Sequence, residues 1–204
     1  MSRLPRSFYL QDTLTVAREL LGKLLVHDAP DGITAGRIVE AEAYQGPQDR
    51  AAHSYNNLRS ARTEVMYGPG GYAYVFMVYS MYCCFNVVTR PAGQPQVVLI
   101  RALEPVGGLE LMARRRGCGA LAVTNIRNLS NGPGKLCQAM GITRALNGED
   151  LCGGRLYIAD DGVTIGESDV CRTPRVNIDY AGEARDYLWR FLVFDSPYLS
   201  GGRS

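Results

Sequence analysis

Two carboxylates stand two residues apart in Val39-Glu40-Ala41-Glu42-Ala43-Tyr44, and Gly46-Pro47 closes the run. Nine residues after Tyr44, in Ala51-Ala52-His53-Ser54, comes one of the chain's two histidines. Alternate side chains of a strand share a face, so Ile38, Glu40, Glu42 and Tyr44 fall on one parity. A carboxylate fixed beside an aromatic ring can hold and activate a water. The same periodicity also fits a sheet edge whose glutamates face solvent.

Gln96 to Leu103 is a near-continuous apolar strand interrupted by Arg101. A buried guanidinium needs an anion. Arg101 therefore requires either a carboxylate such as Glu42 or a ligand phosphate, and Glu104-Pro105 is expected to end the strand. Asn131-Gly132-Pro133-Gly134-Lys135 opens a helix that stops at Gly141. A helix starting near Pro133 would direct backbone N–H groups and Lys135 outward, as a phosphate site. It lacks the G-x-x-x-x-G-K-[ST] pattern of a P-loop.

Metal and cofactor chemistry find no support. The six cysteines contain no C-x-x-C pair, and His27 and His53 form no H-x-x-x-H. Reduced, buried thiols are the expectation, with no metal and no cofactor.

Several elements must position these groups. Residues 1–11 read as an extended arm. Asp12 caps a helix bearing Leu14, Ala17, Leu20 and Leu21, and Gly22 stops it. Leu24 to Val26 and Ile33 to Ala43 form a hairpin around Ala29-Pro30-Asp31-Gly32. Residues 48–70 form a polar loop long enough to serve a function. Gly71 to Val88 is rich in β-favouring and aromatic residues and reads as a hairpin with Tyr79, Ser80 and Met81 at its tip. An exposed aromatic tip suits insertion between stacked rings. A helix over Leu109, Met112 and Ala113 ends in Arg114-Arg115-Arg116, a basic run that complements the helix dipole or simply forms a solvated face. Residues 117–131 read as irregular. Leu156 to Ala159 is a strand leading to an Asp160-Asp161-Gly162 turn. Arg172 to Ile178 and Tyr187 to Phe194, with the only tryptophan, Trp189, read as the last two strands.

The chain has 204 residues, 46% apolar and 21% charged, with no repeat or linker, so residues 1–204 are read as one domain. No apolar run reaches the ~18 residues of a membrane span, and the N-terminus lacks a secretory apolar core. A cytoplasmic monomer with no membrane association is expected. Net charge is only +2, but among 22 basic residues just Lys23 and Lys135 are lysines. Arginine forks suit phosphate and carboxylate.

Taken in order, Val39-Glu40-Ala41-Glu42-Ala43-Tyr44 with Gly46-Pro47, Ala51-Ala52-His53-Ser54, Tyr79-Ser80-Met81-Tyr82 with Asn86, Leu99 to Pro105, Gly132 to Ala139 and Ala181-Gly182-Glu183 resemble the alkyladenine (3-methyladenine) DNA glycosylase family of animals and many bacteria. The resemblance spans nearly the whole chain. It implies a mixed α/β (α+β) domain with a curved antiparallel sheet, flanking helices and a protruding hairpin that enters DNA. It also implies base excision repair of alkylated purines in double-stranded DNA. The position of Glu42 holds the catalytic water as general base, and Arg101 and the backbone carbonyl of Val176 help place that water. Tyr44 and His53 sandwich the flipped base, with Phe76, Asn86 and Ala51 completing its pocket and Asn86 discriminating against guanine. Tyr79 is the wedge, with Met81 beside it. Arg62, Gly134 and Lys135 stand at phosphate-contacting positions.

Three positions depart from the family pattern. Phe76 replaces a tyrosine of the animal members, Thr63 an asparagine, and Asn177 a glycine, although asparagine tolerates positive φ. Two other readings are weighed against excision. One is a DNA-lesion-binding module without turnover; the other is a metal-dependent nuclease, which the lack of a clustered Asp/His set disfavours.

Overall fold

A computed structural model describes residues 1–118 and 126–201. Its frame is one antiparallel sheet of nine strands among the described residues. The strands are β1 (Ser2–Arg3), β2 (Leu24–Ala29), β3 (Gly32–Tyr44), β4 (Ala73–Val78), β5 (Tyr82–Thr89), β6 (Gln96–Gly107), β7 (Leu156–Asp160), β8 (Val170–Thr173) and β9 (Arg190–Val193). The order is β1-β7-β2-β3-β6-β5-β4, and β9 bridges β3 and β8. The long strand β3 is central. One edge runs along β6, and the other pairs with β2 at its start and β9 over Glu40 to Glu42.

Among the described residues, four helices accompany the sheet: α1 (Arg6–Tyr9), α2 (Thr13–Glu19), α3 (Leu109–Arg115) and α4 (Pro133–Met140). Asp12 caps α2 by accepting from the amides of Leu14 and Thr15, as its residue type predicts. Val16, Ala17 and Leu20 near α2, Met112 of α3 and Leu136 and Ala139 of α4 join Ala41, Ala43, Phe85, Val98 and Ile100 in the main core.

The ladder between β3 and β6 slips at three places: between Ala35 and Gly36, between Ile38 and Glu40, where Val39 is skipped, and between Glu40 and Ala41. Glu40 pairs with Ala102 and Ala41 with Ile100, so Arg101 is skipped. Such irregularities re-aim side chains. Here Ile38 joins Ala41 and Ala43 in the core although its simple parity matches Glu40, which corrects the expected alternation. Glu40, Glu42, Tyr44 and Arg101 turn to the other face.

Several expected boundaries are corrected. Residues 1–11 contain β1 and α1 instead of running as an arm. Strand β6 continues through Glu104-Pro105 to Gly107. The Leu103 amide points away from β3 to the Ser130 carbonyl, so Pro105, on the same parity, lacks its N–H on the side away from β3. β8 stops at Thr173, where Pro174 follows, and Asn177 takes φ +60°. β9 starts only at Arg190, after a run of 3-10 turns at Asp179–Asp186. The 48–70 stretch is held by 3-10 turns at Tyr55–Asn57 and Glu64–Tyr67. Arg115 is no solvated arginine, since it bonds Asp31, Thr34 and the Ala139 carbonyl. Much of the irregular stretch expected at 117–131 lies outside the described residues. Among the described residues, no helix is long and apolar enough to cross a membrane.

Candidate active site

Alternation along β4, β5 and β6 builds one wall of a cavity of about 310 Å³. Tyr74 and Phe76 come from β4, Cys84 and Asn86 from β5, and Leu99 and Arg101 from β6. Tyr44, at the end of β3, lines it from one side, and Ala51 and His53 follow from the turn after Gly46. Gly46 has φ +71°, and a Cβ there would meet the Pro95 carbonyl at 2.7 Å, so this turn demands glycine. Val176, Asn177 and Tyr180 complete the rim with Tyr79 of the hairpin.

Both glutamates of β3 are closed to solvent, which removes the wet-edge alternative. Glu40 accepts from Arg101 Nε and Arg190 Nε at 2.8 Å each, and from the Ser200 amide and hydroxyl at 2.6 Å each. Glu42 accepts from the Val176 amide at 2.8 Å, the Tyr44 hydroxyl at 2.8 Å and Arg101 at 3.3 Å. All three donors to Glu42 line the cavity, so its carboxylate sits directly behind the cavity wall. Glu40 takes three donors on Oε1 and one on Oε2, whereas Glu42 takes two on Oε2 and only the Val176 amide on Oε1; at about two acceptor positions per oxygen, Glu42 Oε1 keeps one.

Arg101 thus finds the anion its sequence context demanded, in two carboxylates at once. Burial acts to lower its pKa, but Glu42 and Glu40 outweigh it and raise the value, so the guanidinium stays charged. Burial, then Glu42, push the Tyr44 hydroxyl upward, and it remains a donor.

His53 stands 4.6 Å from Phe76, ring centre to ring centre and edge-on. Arg62 can only donate, so His53 Nε2 accepts from it at 3.2 Å, and Nδ1 carries the proton donated to the Tyr74 hydroxyl at 2.8 Å. Burial, assisted by Arg62, lowers the His53 pKa to about 4, so the ring is neutral at ordinary pH. Tyr74 thus gives His53 a hydroxyl partner, and Phe76 meets it through its ring alone. Asn86 donates to the Tyr74 carbonyl at 3.1 Å.

The hairpin tip falls at Tyr79, Ser80 and Met81 as expected, with φ of +52° and +55° at Tyr79 and Ser80. Tyr79 is 86% exposed and Met81 70%. Gly134 at the start of α4 packs against Tyr82, where a Cβ would come within 3.1 Å of the Tyr82 Cβ and 3.2 Å of its ring. Lys135 bonds Asn131 at 2.9 Å, and Arg62 lies over Phe76. Both side chains are therefore engaged within the protein. Thr63 is buried and bonds Ser60.

A larger hollow of about 450 Å³ lies by the end of α4, lined by His27, Arg115 and Arg155 among others. The three donors to the buried Glu42 all line the smaller cavity, which makes it the candidate site. Asp49, Arg175, Arg190 and Ser200 were missed from sequence. Of these only Asp49, two residues after Pro47, had a local signal, as a turn-capping aspartate. No cluster of three metal-ligating side chains occurs among the described residues.

A curled antiparallel sheet carrying an aromatic cleft backed by a buried carboxylate defines an α+β enzyme that can hold a flat ring beside a base. Residues 7–197 match the family model described as Methylpurine-DNA glycosylase (MPG). The chain belongs to that family and is a DNA glycosylase, hydrolysing N-glycosyl bonds. It is 54% identical over 203 residues to a protein of Desulfitobacterium hafniense (strain Y51) named "Putative 3-methyladenine DNA glycosylase", covering 98% of this chain and 99% of that one. Proteins of the same name from Alkaliphilus oremlandii (strain OhILAs) and Bacillus cytotoxicus are each 49% identical, covering 97% and 96% of this chain and 98% of each relative. Family membership sets aside the readings without turnover and as a nuclease.

Proposed function

We propose that the protein removes alkylated purines from double-stranded DNA by flipping the base into the cavity and hydrolysing its N-glycosidic bond with a water activated by Glu42. 3-Methyladenine is the primary substrate, and 7-methylguanine, hypoxanthine and ethenoadenine are further candidates. The observation that carries this reading is the Glu42 carboxylate, fixed by three donors that all line the cavity and left with one acceptor position for water.

Bond cleavage passes through an oxocarbenium-like state that a nearby anion stabilises. A base alkylated at N3 or N7 is already cationic and leaves without an acid. A neutral His53 suits this, because an imidazolium there would repel such a base. The flipped base lies between Tyr44 and His53, against Phe76, Asn86 and Ala51, and the Val176 carbonyl helps place the water. Tyr79 and Met81 fill the gap in the stack, partly offsetting the few kcal/mol of unstacking. Arg62, the Gly134 amide and Lys135 meet the backbone phosphates, with Lys135 and Arg62 exchanging their present partners. Strand cleavage by a lyase needs an amine. Lys23 pairs with Asp160 and Lys135 with Asn131, and neither lines the cavity, so the enzyme is monofunctional. The whole chain acts as one domain and as a monomer.

The test is base release from a panel of lesion duplexes. Free 3-methyladenine should appear, EDTA should have no effect, and the strand should stay intact until alkali is added. Strand scission without alkali, or no release of any base, contradicts the reading.

A further inference from the structure

One buried ion pair has no part in the chemistry described so far. Arg175 and Asp49 have no exposed side-chain surface. Arg175 donates to the two Asp49 oxygens at 2.5 and 2.8 Å, and to the carbonyls of Ala43 and Ala184. Asp49 also accepts from the amides of Gln45 and Ala51. The pair thus ties the end of β3 to the turn carrying Ala51 and to the 179–186 turns. Val176, next to Arg175 in the chain, is the residue whose amide holds Glu42.

The guanidinium also lies 4.6 Å from the ring centre of Tyr44 and 4.9 Å from that of Trp189. Tyr44 lines the cavity and Arg175 does not, so the Tyr44 ring stands between Arg175 and whatever fills the cavity. A cation on one face of a ring uses the same quadrupole that a second cation would need on the other face. It also repels that second cation across a poorly screened interior. Asp49, bonded to it through both oxygens, cancels the charge.

We propose that Asp49 is a specificity-determining residue that, by neutralising Arg175 behind Tyr44, lets the cavity accept positively charged bases. This rests on the reading that the cavity takes a damaged purine against Tyr44. The charge of Asp49 then matters for a cationic base such as 7-methylguanine and much less for a neutral one such as hypoxanthine.

Single-turnover release of both bases is measured for wild type, Asp49→Asn, Asp49→Glu and the Asp49→Asn, Arg175→Gln double variant. Trp189 fluorescence reports folding of each. Asp49→Asn should lose on the order of tenfold more on 7-methylguanine than on hypoxanthine, the size of a desolvated cation–ring interaction. Asp49→Glu keeps the charge and should keep the wild-type ratio. The double variant, which removes both charges, should regain 7-methylguanine release relative to Asp49→Asn and show a ratio near that of wild type. Equal losses on the two bases in Asp49→Asn, or a depressed 7-methylguanine ratio in the double variant, overturns the proposal. If Asp49→Asn loses the folded emission, the double variant's ratio decides alone. A wild type that releases neither base defeats the reading of the cavity itself, and the proposal with it, before any variant is compared.

Discussion

Glu40 and Glu42 stand two residues apart on β3, both closed to solvent, and their carboxylates are filled to different degrees. Glu40 takes four donors, from Arg101, Arg190 and twice from Ser200. Glu42 takes three, all from residues lining the cavity. Under the proposed mechanism their roles separate by where the donors lie: Glu40 anchors Arg101, and Glu42, whose donors all line the cavity, takes the water. The two slips that flank Glu40 in the ladder between β3 and β6 make this possible, by turning both carboxylates and Arg101 away from the apolar core.

Glu40→Gln should therefore act mainly on stability. It leaves Arg101 and Arg190 short of an anion in a buried site, a change worth about 3–5 kcal/mol. The urea midpoint should fall accordingly. Base release per folded molecule should fall far less than in a Glu42 variant.

Tyr79→Ala should do the reverse. The side chain is 86% exposed, so stability should change by no more than about 0.5 kcal/mol. Losing the wedge forfeits part of the few kcal/mol that offset unstacking, so release from duplex DNA should fall roughly tenfold or more. Release from a single strand, where no stack has to be opened, should fall much less.

His53 predicts an acid-sensitive fold. Its pKa is lowered from 6.5 to about 4 in the folded protein, chiefly by burial and then by Arg62. Between those values the unfolded chain binds the proton first, so stability rises with pH and is lost as pH falls from about 6.5 towards about 4. His27 is lowered too, by burial first, and adds with the same sign. Urea midpoints measured across that range should fall with acid, and His53→Gln should flatten part of the slope.

Tyr44→Phe should lower base release while leaving DNA binding close to wild type, because it removes one of the donors fixing Glu42 and keeps the ring. Comparing the single-turnover rate with the duplex Kd checks this split.

Local signals carried much of the fold. Asp12 as a cap, the Ala29–Gly32 turn, the tip at Tyr79 to Met81 and the start of α4 at Pro133 each depend on a few neighbouring residues. The misplaced ends had nonlocal causes. Pro105 stays in β6 because its missing N–H faces away from β3, and the last strands are shortened by Pro174 and by turns held in place by Arg175. Within the site, Arg101 was legible because a guanidinium in an apolar strand demands an anion. The partners of Asp49 and Glu40 were not. Arg175 lies 126 residues from Asp49 and Ser200 160 residues from Glu40, and no spacing rule links such pairs.

The central claim is that Glu42 activates the water that releases the base. Its most direct test is single-turnover release of 3-methyladenine by Glu42→Gln beside wild type, with binding to the same duplex measured in parallel. The substitution keeps the shape and removes the base. Release should fall by at least about a hundredfold, the scale of a lost general base, while the duplex Kd stays within a few-fold. Release by Glu42→Gln at the wild-type rate would contradict the account.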